Sequence, residues 1–363
     1  MDLGSLAELN AWFPTWVVRG FVLFFGLIWG SFLNVVIYRV PREMSVVRPA
    51  SHCPGCGTPI AGYDNLPVLT YLILRGRARC CGAAMSPRYP LVELIGGALS
   101  LCILETIIFQ MPGGTPAVRA LAVYGADFAL CMGLVAAAFI DAEHMFLPDS
   151  ITLGGIVLGI ATATLRGLPF TTSLFGAVVG FVVVWLPFIF LYKGLLGRTG
   201  MGMGDAKLLA LAGAWFGWPG ALFVLLAGAL HGSLYALVTR VLGIETKLPQ
   251  AVLDDIAQLE KDAAAGDEEA KKALEEDPLT ENEDDAFILR WLGMALCWLG
   301  LRKQTEEAPE APDSETDAHD AEKDVSLPRA RIPFGPFLIL GALELLFASD
   351  WIQNRLRPLF DPM

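Results

Sequence analysis

Gly200-Met201-Gly202-Met203-Gly204-Asp205-Ala206-Lys207 sets a carboxylate and a lysine inside sequence that otherwise reads as membrane. A charge at bilayer depth costs about 2.5–3.5 kcal/mol even on the lenient insertion scale, so an ionisable residue there is a candidate functional group. Three alternating glycines allow a second backbone to come close, which a carboxylate acting on a peptide bond needs. A second acid, Asp141, closes the apolar run 130–140, and Asp149 follows Leu147-Pro148. If Asp141 and Asp205 meet across neighbouring helices they share one proton, because like charges at that range do not both ionise. That is the aspartic-protease arrangement, in which one carboxylate activates water and the other protonates the departing amine. Taken singly, each acid also reads as an ordinary helix-start residue, and Asp149 fits that reading well.

Working outward, the 363-residue chain is 54% hydrophobic, and its apolar residues fall in runs of about 15 to 25, the length a bilayer demands. A soluble globular protein of this size is excluded. The net charge of −12 comes mostly from one block over 254–324, and the other loops lean basic, so nothing points to nucleic acid as a partner. Residues 1–13 lack the basic start of a cleavable signal, and the first apolar run is expected to stay as a helix.

The fold class that follows is an all-α polytopic membrane protein of about eight transmembrane helices. These are expected over 16–38, 91–109, 118–140, 150–165, 174–195, 206–215 (short), 221–242 and 334–347. Arg39, Arg42, Arg48, Arg75, Arg77, Arg79 and Arg88 crowd the loop after the first helix against only Glu43 and Asp64. The positive-inside rule makes that loop cytoplasmic and the N-terminus external. The same parity brings Asp141 and Asp205 to one inner face, although neither was used to set the topology. The organisation is therefore 1–38, first helix; 39–90, a cysteine-containing loop domain; 91–244, the membrane core; 245–331, an acidic insert; and 332–363, the last helix. Within the insert, 305–324 has almost nothing apolar to bury and is expected to be disordered, and 286–301 is expected to lie on the inner membrane surface.

Cys102, Cys131 and Cys297 stand singly in apolar runs as buried thiols. Cys53-Pro54-Gly55-Cys56 has the spacing of half a zinc knuckle. The other half is irregular, because Cys80 and Cys81 are adjacent and neighbouring side chains do not easily reach one tetrahedral centre. Either one of the two thiols is a bystander or His52 completes the shell. Four protein ligands leave no open position, so the metal would be structural.

Several stretches together resemble the type IV prepilin peptidases, which are bifunctional leader peptidases and N-methyltransferases of the GxGD aspartic protease type. They are Gly30-Ser31-Phe32-Leu33-Asn34, Cys53-Pro54-Gly55-Cys56, Tyr63-Asp64-Asn65-Leu66-Pro67, Arg88-Tyr89-Pro90-Leu91-Val92-Glu93, Phe139-Ile140-Asp141 with Leu147-Pro148-Asp149, Gly202-Met203-Gly204-Asp205-Ala206-Lys207, and Pro333-Phe334-Gly335-Pro336-Phe337. The resemblance implies that Asp141 and Asp205 are the catalytic pair and that zinc sits between two cysteine pairs, Cys53 and Cys56 with Cys80 and Cys81. It implies a bacterial inner-membrane enzyme that cuts the short basic leader of type IV prepilins or pseudopilins at the cytoplasmic face. Methylation of the new N-terminus, with S-adenosylmethionine as donor, rests on the resemblance alone, since no G-x-G-x-x-G fingerprint is present. Substrate or methyl-transfer candidates are Asp64, Asn65, Arg88, Glu93, Asp149 and Lys207.

Two departures from the family pattern stand out. Ala78 occupies the first position of the second cysteine pair, and the insert over 245–331 is not part of the pattern. The alternative from another class is a transporter or assembly scaffold whose inner-face carboxylates bind protons or cations.

Overall fold

Helices in lipid associate without a hydrophobic drive between them, since acyl chains are as apolar as leucine; close backbone approach and shared polar groups decide the packing. The computed structural model describes residues 4–48, 50–53, 55–192, 201–244, 248–266, 271 and 333–360. The expectations for 286–301 and 305–324 lie outside these residues, as does Cys297.

In chain order the elements are α1 (Leu6–Trp12), α2 (Thr15–Arg39), the short α3 (Leu69–Ile73), α4 (Arg88–Ile103) with a π-helical extension Leu104–Ile108, and α5 (Ala117–His144). Then come α6 (Asp149–Thr162), α7 (Phe170–Val184) with a π-helical extension Trp185–Leu191, α8 (Met203–Val241), α9 (Gln250–Ala264) and α10 (Gly335–Phe360). Among the described residues no strand forms, and only isolated bridges such as His52 with Pro59 and Arg77 with Ala84 occur. Pro14, Pro87, Pro116, Pro148 and Pro169 stand at the N-caps of α2, α4, α5, α6 and α7. The first N–H groups of a helix have no partner within it, so a proline at such a boundary forfeits nothing and fixes where the helix begins.

Five helices are long and apolar enough to cross a membrane: Thr15–Arg42, Arg88–Ile108, Ala117–His144, Phe170–Leu191 and Met203–Val241. Asp149–Thr162 and Gly335–Ala348 are shorter apolar helices. The two helices expected over 206–215 and 221–242 form one element of 39 residues, interrupted at Gly217 (φ 75°, ψ 178°) with Pro219 just beyond. Only glycine takes that conformation cheaply, and Pro219 donates no hydrogen bond backwards, so two helices meet at this break as the turn read from the sequence. Gly220 lies against Leu345 and Gly228 against Leu338 of α10, while Gly204 and Gly335 share Leu147, so the second half runs back toward the end where the first began.

The core has two parts with α5 as their common wall. Leu147, Leu209, Trp215, Val224 and Leu338 belong to one, and Val22, Ile37, Val92 and Ile103 to the other. Along α5, Ala126, Leu130, Leu134 and Ala137 face the first part, and Val123, Cys131, Val135 and Ile140 the second. Each part is closed by glycines at spacing four. A Cβ on Gly30 of α2 would stand 2.6 Å from Glu93 Cα of α4, and one on Gly26 would stand 2.5 Å from Gly96 O. On the far side Gly176 and Gly180 of α7 press on the carbonyls of Gly213 and Leu209 in α8 with no room for a methyl group. Residues 253–331 form a separate compact unit, whose described part continues the amphipathic α9.

Candidate functional site

Asp141 lies in the last turn of α5, which ends where Met145 turns into the left-handed region (φ 56°) and gives its N–H to Asp141 O at 2.9 Å. Only three residues, Phe146 to Pro148, separate that cap from α6, so the chain turns back sharply beside the acid. The Asp141 side chain is 6% exposed. Its Oδ2 accepts a hydrogen bond from Gly335 N–H at 3.0 Å. Gly335 is the first residue of α10, where a helix has N–H groups to spare. A Cβ on Gly335 would come 2.5 Å from Asp141 Oδ2, so glycine is required by the close approach.

Asp205 is the third residue of α8, and its carboxylate folds back beside Gly202, the N-cap. That is the place from which a capping box is made, so the reading as a helix-start acid does not compete with a functional one. Asp205 directly follows Gly204, which shares with the Asp141 partner Gly335 the contact to Leu147. Leu147 ties the two sides together: its side chain lies against Gly204 on α8 and against Gly335 on α10. The GxGD stretch, the end of α5 and the start of α10 therefore converge on one point. Of the residues quoted from the sequence, Gly335 had been given no role. The signal was present in its setting, a glycine between Phe334 and Pro336 at the start of an apolar run.

The other charged candidates near the acids are paired. Lys207 Nζ donates to Asp149 Oδ1 across the starts of α8 and α6. Arg88 Nη1 donates to Glu143, joining the start of α4 to the end of α5. These bridges fix the ends of the helices that carry Asp141 and Asp205.

In the loop domain, the four sulfurs of Cys53, Cys56, Cys80 and Cys81 all lie within 4.8 Å of one another. Cys53 and Cys81 are 3.7 Å apart and Cys56 and Cys80 3.3 Å. Four thiolates at about 2.3 Å from a tetrahedral zinc are about 3.8 Å from each other, so this donor set fits zinc. The expected difficulty with adjacent cysteines is removed by the backbone. Gly57 N–H bonds to Cys53 O, Gly82 N–H to Ala78 O, both at 2.8 Å, and both glycines have φ +70°. The same turn thus occurs twice. In the second turn Ala78 takes the place that Cys53 has in the first, and Cys80 supplies the missing sulfur from inside the turn. His52 is not part of the cluster; its Nδ1 lies 3.3 Å from Ala50 O. The four thiols are not alike. Thr58 beside Cys56 lowers that thiol to about 6, and the neighbouring Cys56 pushes Cys80 up to about 12.

The loop candidates for methyl transfer are spread out. Asp64 pairs with Arg79 at 2.9 Å. Asn65 lines a cavity of about 260 Å³ between α2 and the loop. Glu93, 8% exposed on α4, accepts Val68 N–H at 2.6 Å. Val68 needs that anchor: at φ 60°, ψ −46° it is the centre of a γ-turn closed by Leu69 N–H to Pro67 O at 2.5 Å. A β-branched residue held there costs about 1–3 kcal/mol, a strain that surrounding contacts must hold in place.

Comparison with known proteins agrees with this division. Residues 24–107 match the bacterial peptidase A24 N-terminal domain, and residues 128–237 match the type IV leader peptidase family. The cysteines and the cavity fall in the first segment; Asp141 and Asp205 fall in the second. A protein named prepilin leader peptidase/N-methyltransferase from Myxococcus xanthus (strain DK1622) is 36% identical over 346 residues, 94% of this chain and 92% of that protein. Proteins of the same name from Aeromonas salmonicida (strain A449) and Neisseria gonorrhoeae are 37% and 35% identical, over 64% and 65% of this chain and 84% and 86% of their own lengths. No solved structure matches. A relative aligned almost end to end at this identity, with both family segments in order, settles the kinship: the chain belongs to the type IV leader peptidase family.

Proposed function

We propose that this protein is a membrane aspartic endopeptidase that removes the leader of type IV prepilins or pseudopilins and methylates the amine so exposed. The observation that carries the reading is the convergence of the helix ends that bear Asp141 and Asp205, distant in sequence, on Leu147 and the Gly335 N–H. One carboxylate takes a proton from water as the oxygen adds to the scissile carbonyl. The other gives its proton to the amide nitrogen as the C–N bond breaks, and the products leave as a carboxylate and an amine. Glycines at 202, 204 and 335 keep side chains away from the space in front of these acids. The names carried by the relatives support both leader removal and N-methylation.

With the long α8 counted as two helices across Gly217, and with the shorter α6 and α10 included, the chain crosses the bacterial inner membrane about eight times. The arginine-rich loop is then cytoplasmic, the N-terminus is outside, and the acids stand at the cytoplasmic face, where a basic leader meets them. Zinc at the four cysteines stabilises a loop too short to build a core of its own. S-adenosylmethionine supplies an electrophilic methyl group on a sulfonium.

The test is leader removal from a purified pilin-like precursor by Asp141→Asn and Asp205→Asn. Each variant is expected to lose at least about a thousandfold in rate, as for removal of a general acid or base, with the protein still monodisperse in detergent. Cleavage at wild-type rate by both would sink the dyad. Active transport without cleavage would favour the carrier reading.

A further inference from the structure

Within the loop domain, α3 carries an apolar face that nothing among the described residues covers. Leu69, Leu72 and Ile73 recur at the three- and four-residue spacing of one helix side and are 53%, 64% and 69% exposed. Tyr63 and Leu66, just before the helix, are exposed as well. Arg75 and Arg77 follow it, both exposed. The depth of this face comes from its ties to the membrane helices. Val68 N–H, one residue before α3, bonds Glu93 at 2.6 Å, and a Cβ on Gly30 of α2 would stand 2.6 Å from Glu93 Cα, so Val68, Glu93 and Gly30 share one level. Asn65 and Pro67 line the cavity with Ile28, Ser31 and Phe32, two to three turns before the charged end of α2 at Arg39. The span Arg88–Ile108 has 21 residues, about 31 Å of helix, no longer than a hydrocarbon core of about 30 Å. Its inner end therefore stands close to the bilayer boundary, and Glu93 lies about 7 Å further in than Arg88. The loop thus returns to that depth before α3 begins, and the γ-turn at Val68 marks the passage from the buried Pro67 to the exposed Leu69.

We propose that residues 66–73 form an interfacial anchor, with Leu69, Leu72 and Ile73 among the acyl chains and Arg75 and Arg77 on the phosphates of anionic phospholipid. Interfacial helices bury their apolar side about 5–10 Å into the boundary between headgroups and chains, which is the depth at which Glu93 holds Val68. The charge of the loop selects the partner. Seven arginines stand between residues 39 and 88 against Glu43 and Asp64, and Asp64 is already taken by Arg79. Such a surface attracts the negative face of a bilayer and repels a basic peptide. A helix of five residues binds lipid weakly alone, but α2 and α4 on either side keep it at the membrane, so weak insertion suffices. The inference rests on the membrane placement in the proposed function and adds a lipid contact that holds the loop domain down.

The test places a benzophenone amino acid at Leu72 of the full-length protein in nanodiscs of phosphatidylglycerol or of phosphatidylcholine. Lipid adducts are measured by mass spectrometry after illumination, with the same probe at Glu260, exposed on α9, as the comparison. Leu72 is expected to give at least about fivefold more lipid adduct than Glu260. Arg75→Gln together with Arg77→Gln should lower the Leu72 yield at least about twofold in phosphatidylglycerol and leave it unchanged in phosphatidylcholine. Leader removal, carried by Asp141 and Asp205, serves as the measure of a folded protein. Where the probe at Leu72 disturbs folding, Leu69 on the same face gives the reading. Equal adduct at the face and at Glu260 overturns the anchor. So does an adduct that passes from lipid to an added pilin-like precursor, which would make this face a peptide-docking surface. An arginine pair without effect overturns the choice of anionic lipid. Nanodiscs leave both membrane faces open, so the yield reads lipid contact whichever side the loop occupies. A loop found outside by protease protection in oriented vesicles would refute the topology and leave the adduct result standing.

Discussion

The two parts of the molecule on either side of α5 solve opposite problems. On the peptidase side, long apolar helices hold two acids where charge is costly, and the means are close contact: glycines against carbonyls, a helix-start N–H on a carboxylate, Leu147 wedged between Gly204 and Gly335. On the loop side there is little to bury. Order comes from a few directed links: four sulfurs around one point, Glu93 on Val68, Arg79 on Asp64. The difference implies that the first side fails by overpacking and the second by loss of single bonds.

The largest effect is expected at Gly213. Its added Cβ would sit on Gly176 O with no space to move, so Gly213→Leu exceeds the usual overpacking cost of about 1–3 kcal/mol. Leader removal should be lost and thermal stability should drop, while metal analysis of whatever protein is recovered still finds zinc in the loop. Retained cleavage would mean that α7 and α8 separate easily and that the contrast is overstated.

Next is metal removal. A chelator should abolish methyl transfer, because a segment of this size folds through its metal, and leave leader removal within about threefold. The relevant measurement is both activities on one dialysed sample. Equal loss of the two would tie the loop to the peptidase and erase the boundary drawn here.

Gly335→Ala probes the peptidase side more finely. The substituent would push Asp141 away from the N–H that holds it, and a hydrogen bond to a charged group contributes about 1.5–3 kcal/mol. The expected result is a fall in kcat of about 10- to 100-fold with KM within twofold, measured on a pilin-like precursor. A change confined to KM would place Gly335 in substrate binding instead.

The same contrast explains what could be read from the chain alone. Asp141 and Asp205 stood out as candidates because a charge in an apolar run has few reasons to be there. The turn at Gly217 was legible as well, since Phe216-Gly217-Trp218-Pro219-Gly220 has turn composition and the backbone breaks there. In the loop, the equivalence of Ala78 with Cys53 was hidden, because it is carried by two backbone hydrogen bonds and a positive φ and not by side-chain identity. The role of Gly335 was invisible for a related reason: an N–H has no letter in the sequence, and what it bonds lies nearly two hundred residues away.

The smallest effect tests Asp64, a methyl-transfer candidate by sequence whose side chain pairs with Arg79 in the structure. Arg79 is half exposed, its guanidinium is held further toward the charged form by Asp64, and it also lies 5.8 Å from the Tyr63 ring. Such a pair at the surface is screened by solvent and adds little to stability. If fastening this stretch is all that Asp64 does, Asp64→Asn and Arg79→Ala must behave alike: methyl transfer lowered by less than about fivefold, leader removal unchanged, and the double variant no worse than either single one. If Asp64 also touches the substrate amine, Asp64→Asn will fall well below Arg79→Ala, and the double variant will follow Asp64→Asn. A methylation assay on the three variants separates these outcomes. Equality would leave Asn65 as the loop-tip side chain through which this segment meets the cavity.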